Sequence, residues 1–183
     1  MARLNLQPKT VVVEPDLAEI IRTGSESKQR EEIVTKGIQE LSKGHDLVIR
    51  PKDSRASDRT LDETLTDLGE NRASAASKAI LVLGGITKDI VKRSKIAGLI
   101  LTGGDTARGV CRSMGVDMIE IDDEVSTGVP SGIVVGGEYG GLRIVTKAGS
   151  FGDEDALVES VRFLKRRSRS TAYWTSQRKR RRG

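Results

Sequence analysis

Residues 98–110 read GLILTGGDTARGV, and the fold follows from how they are parsed. Leu99, Ile100 and Leu101 form a short apolar run, the signature of a buried strand. Gly103-Gly104 stops it. Asp105 and Thr106 are good N-caps, and the residues after them predict a helix through Met114. A strand, a glycine turn and a helix start bring backbone N–H groups and the positive end of a helix dipole to one point, which favours an anion. A structural reading stands beside this one. Every α/β protein needs strand–glycine–helix turns, because glycine permits the bend.

Working outward, two further glycine-rich turns follow. One is EVSTGVPSG at residues 124–132, the other IVTKAGSFGDED at residues 144–155. The last is again an apolar run that ends in glycines and opens an acid-led helix. Two such turns in one α/β sheet predict a place for the phosphates of one nucleotide. The spacing is neither a P-loop nor a dinucleotide fingerprint: GxxxxGK[ST] is absent, and no GxGxxG follows a predicted strand.

The rest of the chain supplies a sheet and its helices. Thr10 to Val13 reads as a strand closed by Pro15, with a short helix after it on Leu17, Ile20 and Ile21. Residues 26–42 read as a helix with Ile33, Val34, Ile38 and Leu41 inward, stopped by Gly44. His45 follows as a solvated loop residue, then a strand at Leu47, Val48 and Ile49. Leu61, Leu65 and Leu68 suggest a helix from about Asp58. Residues 73–94 read as a long helix with a stripe of Ala76, Ile80, Leu83, Ile90 and Val91. Its Gly84-Gly85 either lets it lie close to the sheet or kinks it. Cys111 reads as a small buried apolar group.

Residues 116–121 read as a strand, with Asp122, Asp123 and Glu124 as a solvated charge run at its end, or a water-bridged Mg²⁺ site. Residues 132–146 read as a hairpin around the GGEYGG turn. A helix over residues 154–166 then carries Leu157, Val161 and Leu164 inward.

Composition bounds the function. The chain has 183 residues, enough for one domain with a useful core. No apolar stretch reaches the length of a membrane span, and no signal peptide opens the chain. A single cysteine allows no internal disulfide and fits a reducing, cytoplasmic setting. The net charge is +5, but residues 165–183 hold nine basic residues and no acid; taking nine from +5 leaves −4 for residues 1–164. That makes the globular part a poor electrostatic footprint for nucleic acid, which is not expected as its partner. The tail reads as a basic, disordered extension, with nucleic-acid binding through its arginines and Tyr173-Trp174 as the rival reading.

Three quoted motifs carry a resemblance. Leu99 to Ala107 with its GGDT turn, Glu124 to Pro130, and Thr146 to Gly152 with its KAGSFG turn together resemble the nucleotide-binding domain of the four-carbon acid sugar kinases. That family shows a GGDT or GGET turn, an E-x-x-PGVP loop and a KxGxFG turn, in this order. The similarity runs from about Ala73 to Leu164. Thr127 stands where the loop has its first proline, and Ser150 where many members have Asn. The resemblance implies an α/β fold, a predominantly parallel or mixed sheet with flanking helices, over residues 1–164. It implies ATP with Mg²⁺ bound by Gly103, Gly104, Asp105, Thr106, Lys147, Gly149, Ser150 and Gly152, with Glu124, Gly128 and Pro130 in the neighbouring loop.

The resemblance further implies phosphoryl transfer to a four-carbon sugar acid held by a separate, preceding domain. Activity is expected of the completed assembly rather than of this chain by itself, and no residue is assigned as catalytic or as a resident metal ligand. The competing expectation is a nucleotide-binding regulatory domain without catalysis. The family's SGS-type turn and first helix do not precede Thr10 here. Self-association, or pairing with an acid-sugar domain, is therefore expected to cover the flank of the sheet.

Overall fold

The computed structural model describes residues 9–23, 28–52, 72–148 and 155–180, with backbone alone at 72, 73, 75 and 169–180. The helix expected from about Asp58 and the turn carrying Gly149, Ser150 and Gly152 lie outside the described residues. The fold is α/β, and the chain gathers into two compact units. One takes in the described residues through Lys95 together with 108–115. The other takes in 96–107 and the described residues from Val116 on.

In the first unit, β1 (Thr10–Val13) and β2 (Asp46–Ile49) pair in parallel, Thr10 beside Asp46 and Val13 beside Ile49. Parallel neighbours need a long connection, and α1 (Leu17–Thr23) and α2 (Lys28–Ser42) provide it. Asp16 opens α1: its Oδ1 accepts the Glu19 N–H at 3.1 Å. Gly44, at φ +80°, follows the end of α2. α3 (Arg72–Arg93) then lies over both helices. Val13, Ile20, Ile33, Val34, Ile86 and Ile90 form the core they share. Arg30 on α2 holds Asp89 on α3 at 2.6 Å across its edge.

The buried stripe of α3 is Ala79, Leu83, Ile86 and Ile90, while Ala76 is exposed and Val91 only half-buried. Leu83 and Ile90 are buried as expected, while Ala79 and Ile86 take the places expected for Ala76, Ile80 and Val91. A Cβ on Gly84 would stand 2.3 Å from Ser113 Oγ, and one on Gly109 would stand 1.9 Å from Ile80 Cγ2. Ser113 and Gly109 lie on α4 (Gly104–Met114). Gly84 therefore serves helix-on-helix contact rather than approach to the sheet, and α3 runs through it as one helix. Cys111 on α4 is half-buried rather than fully buried, and that burial raises its thiol pKa.

The second unit is a mixed sheet of β3 (Leu99–Thr102), β4 (Ile119–Ser126), β5 (Val129–Val134) and β6 (Arg143–Lys147), in the order β3-β6-β5-β4. β3 and β6 are parallel; β6–β5 and β5–β4 are antiparallel. The hairpin expected within residues 132–146 is present as β5–β6. α5 (Ala156–Arg180) lays Ala156, Phe163 and Leu164 on Val129 and Val145. Leu157 and Val161, expected inward, are only half-buried.

Two expectations need correction. Asp122, Asp123 and Glu124 are strand residues, not a loop, because β4 continues to Ser126. β4 is the edge strand, where charged side chains are tolerated. Asp122 also has a partner 21 residues away: Arg143 donates to Oδ1 at 2.6 Å and Oδ2 at 2.7 Å. Arg167 on α5 donates to Asp123 and lies 5.3 Å from the Phe163 ring centroid. The helix expected to end at Arg166 runs to Arg180, so the tail expected to be disordered is helical to that point. No Gly or Pro interrupts residues 156–180, and Arg and Lys are good helix formers.

The Arg143 hydrogen bonds hold the Asp122 carboxyl below its ordinary range. A depressed carboxyl pKa stabilises the folded state above the unfolded value, and that stabilisation is lost as pH falls through the folded pKa. Urea midpoints measured between pH 7 and pH 3 are therefore expected to fall more for the native chain than for Asp122→Asn. The difference is at most about 1 kcal/mol, because the pair is partly exposed.

Candidate nucleotide site

Strand direction gathers the Gly103 turn, the end of β6 and the β4–β5 turn. β3 and β6 are parallel, so Thr102 and Lys147 end at the same edge of the sheet. β5 runs against β6 and β4 against β5. The β4–β5 turn therefore lies at that edge too. Across three inter-strand gaps the edge spans about 14 Å. Chain segments about 20 and 45 residues apart thus meet at the carboxyl ends of the parallel strands, where open α/β sheets bind ligands.

At β3 the turn is tight and specific. Gly103 adopts φ +87°, which a side chain would resist. Its N–H donates to the Lys147 carbonyl at 2.9 Å, so the first glycine turn is joined to the end of β6 by a backbone bond. Its own carbonyl accepts the Ala107 N–H at 2.9 Å, which makes Gly103 the N-cap of α4. Asp105 and Thr106, expected as caps, sit instead in the first helical turn. There Asp105 complements the dipole. The helix itself offers no acceptor for the N–H groups of Gly104, Asp105 and Thr106. Among the described residues, a Cβ on Gly104 would meet nothing within 4 Å.

Lys147 is the last residue of β6 and stands in register beside Thr102. Its Nζ donates to the Ala148 carbonyl at 3.3 Å. At the β4–β5 turn, Thr127 and Gly128 join Ser126 to Val129, with Gly128 at φ +78°. The negative φ at Thr127 and positive φ at Gly128 have the signs of a type II turn. The Glu124 carboxylate accepts the Gly128 N–H at 2.8 Å and braces the turn. Pro130 belongs to β5, paired with Glu124, before β5 begins to pair with β6 at Ser131. The acidic run is thus occupied by the protein: Asp122 by Arg143, Asp123 by the Glu124 N–H and Arg167, Glu124 by Gly128.

His45 takes no place in this site. It lies in the first unit, where its Nδ1 is 2.7 Å from Glu40, so it is paired rather than simply solvated. The structure thus brings together Gly103, Gly104, Asp105, Thr106 and Lys147, with Glu124, Gly128 and Pro130 along the same edge. Sequence reasoning missed the Gly103–Lys147 backbone bond and the Glu124–Gly128 brace. The brace carried a signal, an acid four residues before a turn glycine. The backbone bond carried none.

The model of a nucleotide-binding C-terminal domain matches residues 1–157. The D-threonate kinase of Salmonella typhimurium is 30% identical over 154 residues, which is 84% of this chain and 36% of that protein. The chain belongs to the four-carbon acid sugar kinase family. The D-threonate kinase of Bordetella bronchiseptica is 39% identical over 85 residues, 46% of this chain and 21% of that family member. The chain therefore spans about a third or less of the length of these relatives. A solved family structure from Bordetella bronchiseptica is described as a domain of unknown function, a domain-swapped dimer with bound citrate. It superposes with a TM-score of 0.61 at 25% identity, over 89% of this chain and 34% of that one. Among the described residues, no helix is long and apolar enough to cross a membrane.

Proposed function

We propose that this chain is the ATP-binding part of a four-carbon acid sugar kinase, active when joined by an acid-sugar-binding domain. One observation carries the reading: the Gly103 turn, the end of β6 at Lys147 and the β4–β5 turn lie at one sheet edge, with the Gly103 N–H bonded to the Lys147 carbonyl. The residues fit a polyphosphate. Gly104 opens a helix, no described residue would meet a Cβ on it within 4 Å, and a lysine stands on the adjacent strand. The first-turn N–H groups and the Thr106 hydroxyl would hold phosphate oxygens, and Lys147 would balance their charge. When bound, ATP supplies the phosphoryl group and brings Mg²⁺ with it. The acceptor is a tetronate-type acid, as the names of the relatives suggest. Self-association belongs to the same proposal, in line with the domain-swapped relative.

ADP release tests the catalytic claim. The chain mixed with the acid-sugar domain of a D-threonate kinase should release ADP on addition of D-threonate. Release no faster than with either part alone would leave a nucleotide-binding domain without catalysis. Within the site, Lys147→Ala is expected to weaken ATP·Mg²⁺ binding about tenfold, a charge-assisted contact's worth, with an unchanged melting midpoint. Unaltered affinity would make Lys147 an ordinary strand-end lysine.

A further inference from the structure

The family match ends at residue 157, yet α5 continues as helix to Arg180. Residues 165–182 hold nine Lys and Arg and no acid. On this helix Lys165 and Arg169 are four residues apart and Arg166 and Arg169 three, spacings at which like charges repel. Such a segment is stabilised by a polyanion. Its base is fixed, because Arg167 is held by Asp123 and lies against Phe163. The extension also carries Tyr173 and Trp174, two flat aromatic groups amid the charge.

We propose that residues 165–182 are a nucleic-acid-binding extension that takes single-stranded RNA or DNA, with Lys and Arg on phosphates and Tyr173 and Trp174 stacked on bases. The charge of −4 on the remainder confines the binding to this segment. A bilayer surface fits less well. The apolar residues here are Ala172, Tyr173 and Trp174, three in a row, without the i, i+3, i+4 stripe of an interfacial helix. The inference is independent of the kinase reading.

Trp174 is the only tryptophan of the chain, so its fluorescence reports on the segment. The full chain is titrated with a 20-nucleotide oligouridylate, with linear polyphosphate, and with vesicles of phosphatidylcholine and phosphatidylserine. Oligouridylate should quench Trp174, and its affinity should fall by about three orders of magnitude between 50 and 200 mM salt. Polyphosphate should bind without that quenching. A full chain carrying Gln at 178–182 should bind labelled oligouridylate about a hundredfold more weakly. Its salt slope should be shallower by about 3.5, at an unchanged melting midpoint. Absence of binding at 50 mM salt, or equal affinity in the Gln variant, would overturn the proposal. So would a blue shift with vesicles at an affinity matching that for oligouridylate, which would assign the segment to a bilayer.

Discussion

Gly132→Ala is expected to destabilise the chain by about 3 kcal/mol, a large single-methyl effect. The added Cβ would stand 2.5 Å from the Glu120 carbonyl oxygen and 2.6 Å from Ile119 Cγ2. The Ile119 methyl can rotate aside. The carbonyl cannot, because it belongs to the backbone of the paired strand β4. Relief requires β4 and β5 to separate or their register to shift. A shift of one residue would turn Val134, 3% exposed, away from the core. For a chain of this size the melting midpoint should drop by about 6–12 °C. An unchanged midpoint would mean that β4 does not pair with β5 in the register Ile121 to Gly132.

Gly104→Asp is expected to act in the opposite direction on stability and strongly on function. No described residue lies within 4 Å of a Cβ at this position, its backbone is helical, and it is the first residue of α4. A carboxylate there complements the helix dipole and replaces the poor helix former glycine, together worth about 0.5–1 kcal/mol of added stability. The same carboxylate takes up the N–H groups proposed for phosphate and repels the polyanion. ATP·Mg²⁺ affinity should fall by about a hundredfold or more. Equal melting and weaker binding cannot come from misfolding, which is why this variant discriminates better than Gly132→Ala. If Gly104→Asp binds nucleotide normally, the phosphates do not lie at this helix start.

Much of this was legible in residues 98–110, because an apolar run closed by glycines states where a strand stops and a helix starts. β3, α4 and the β5–β6 hairpin follow from such local signals. The edge strand was legible only at its start, within the strand expected at 116–121, and not through Ser126. Asp122 and Asp123 look like loop residues until Arg143 and Arg167, from distant parts of the chain, are placed beside them. Tertiary partners override local polarity in this way. The inward side of α3 was legible at Leu83 and Ile90, but its contact with α4 was not, since Gly84 and Gly109 matter through what they touch. The site residues around Gly103 were legible as a motif. Their union was not, because the bond from Gly103 to Lys147 follows from strand order and direction.

The central claim is that the edge shared by β3 and β6 binds a nucleotide through the Gly103 turn. Isothermal titration of the full, folded chain with ATP·Mg²⁺, run beside Gly104→Asp, tests it most directly. One-to-one binding by the native chain, lost or weakened at least a hundredfold in Gly104→Asp at an equal or higher melting midpoint, is the predicted result. No binding at millimolar nucleotide, or the same affinity in both proteins, would contradict it.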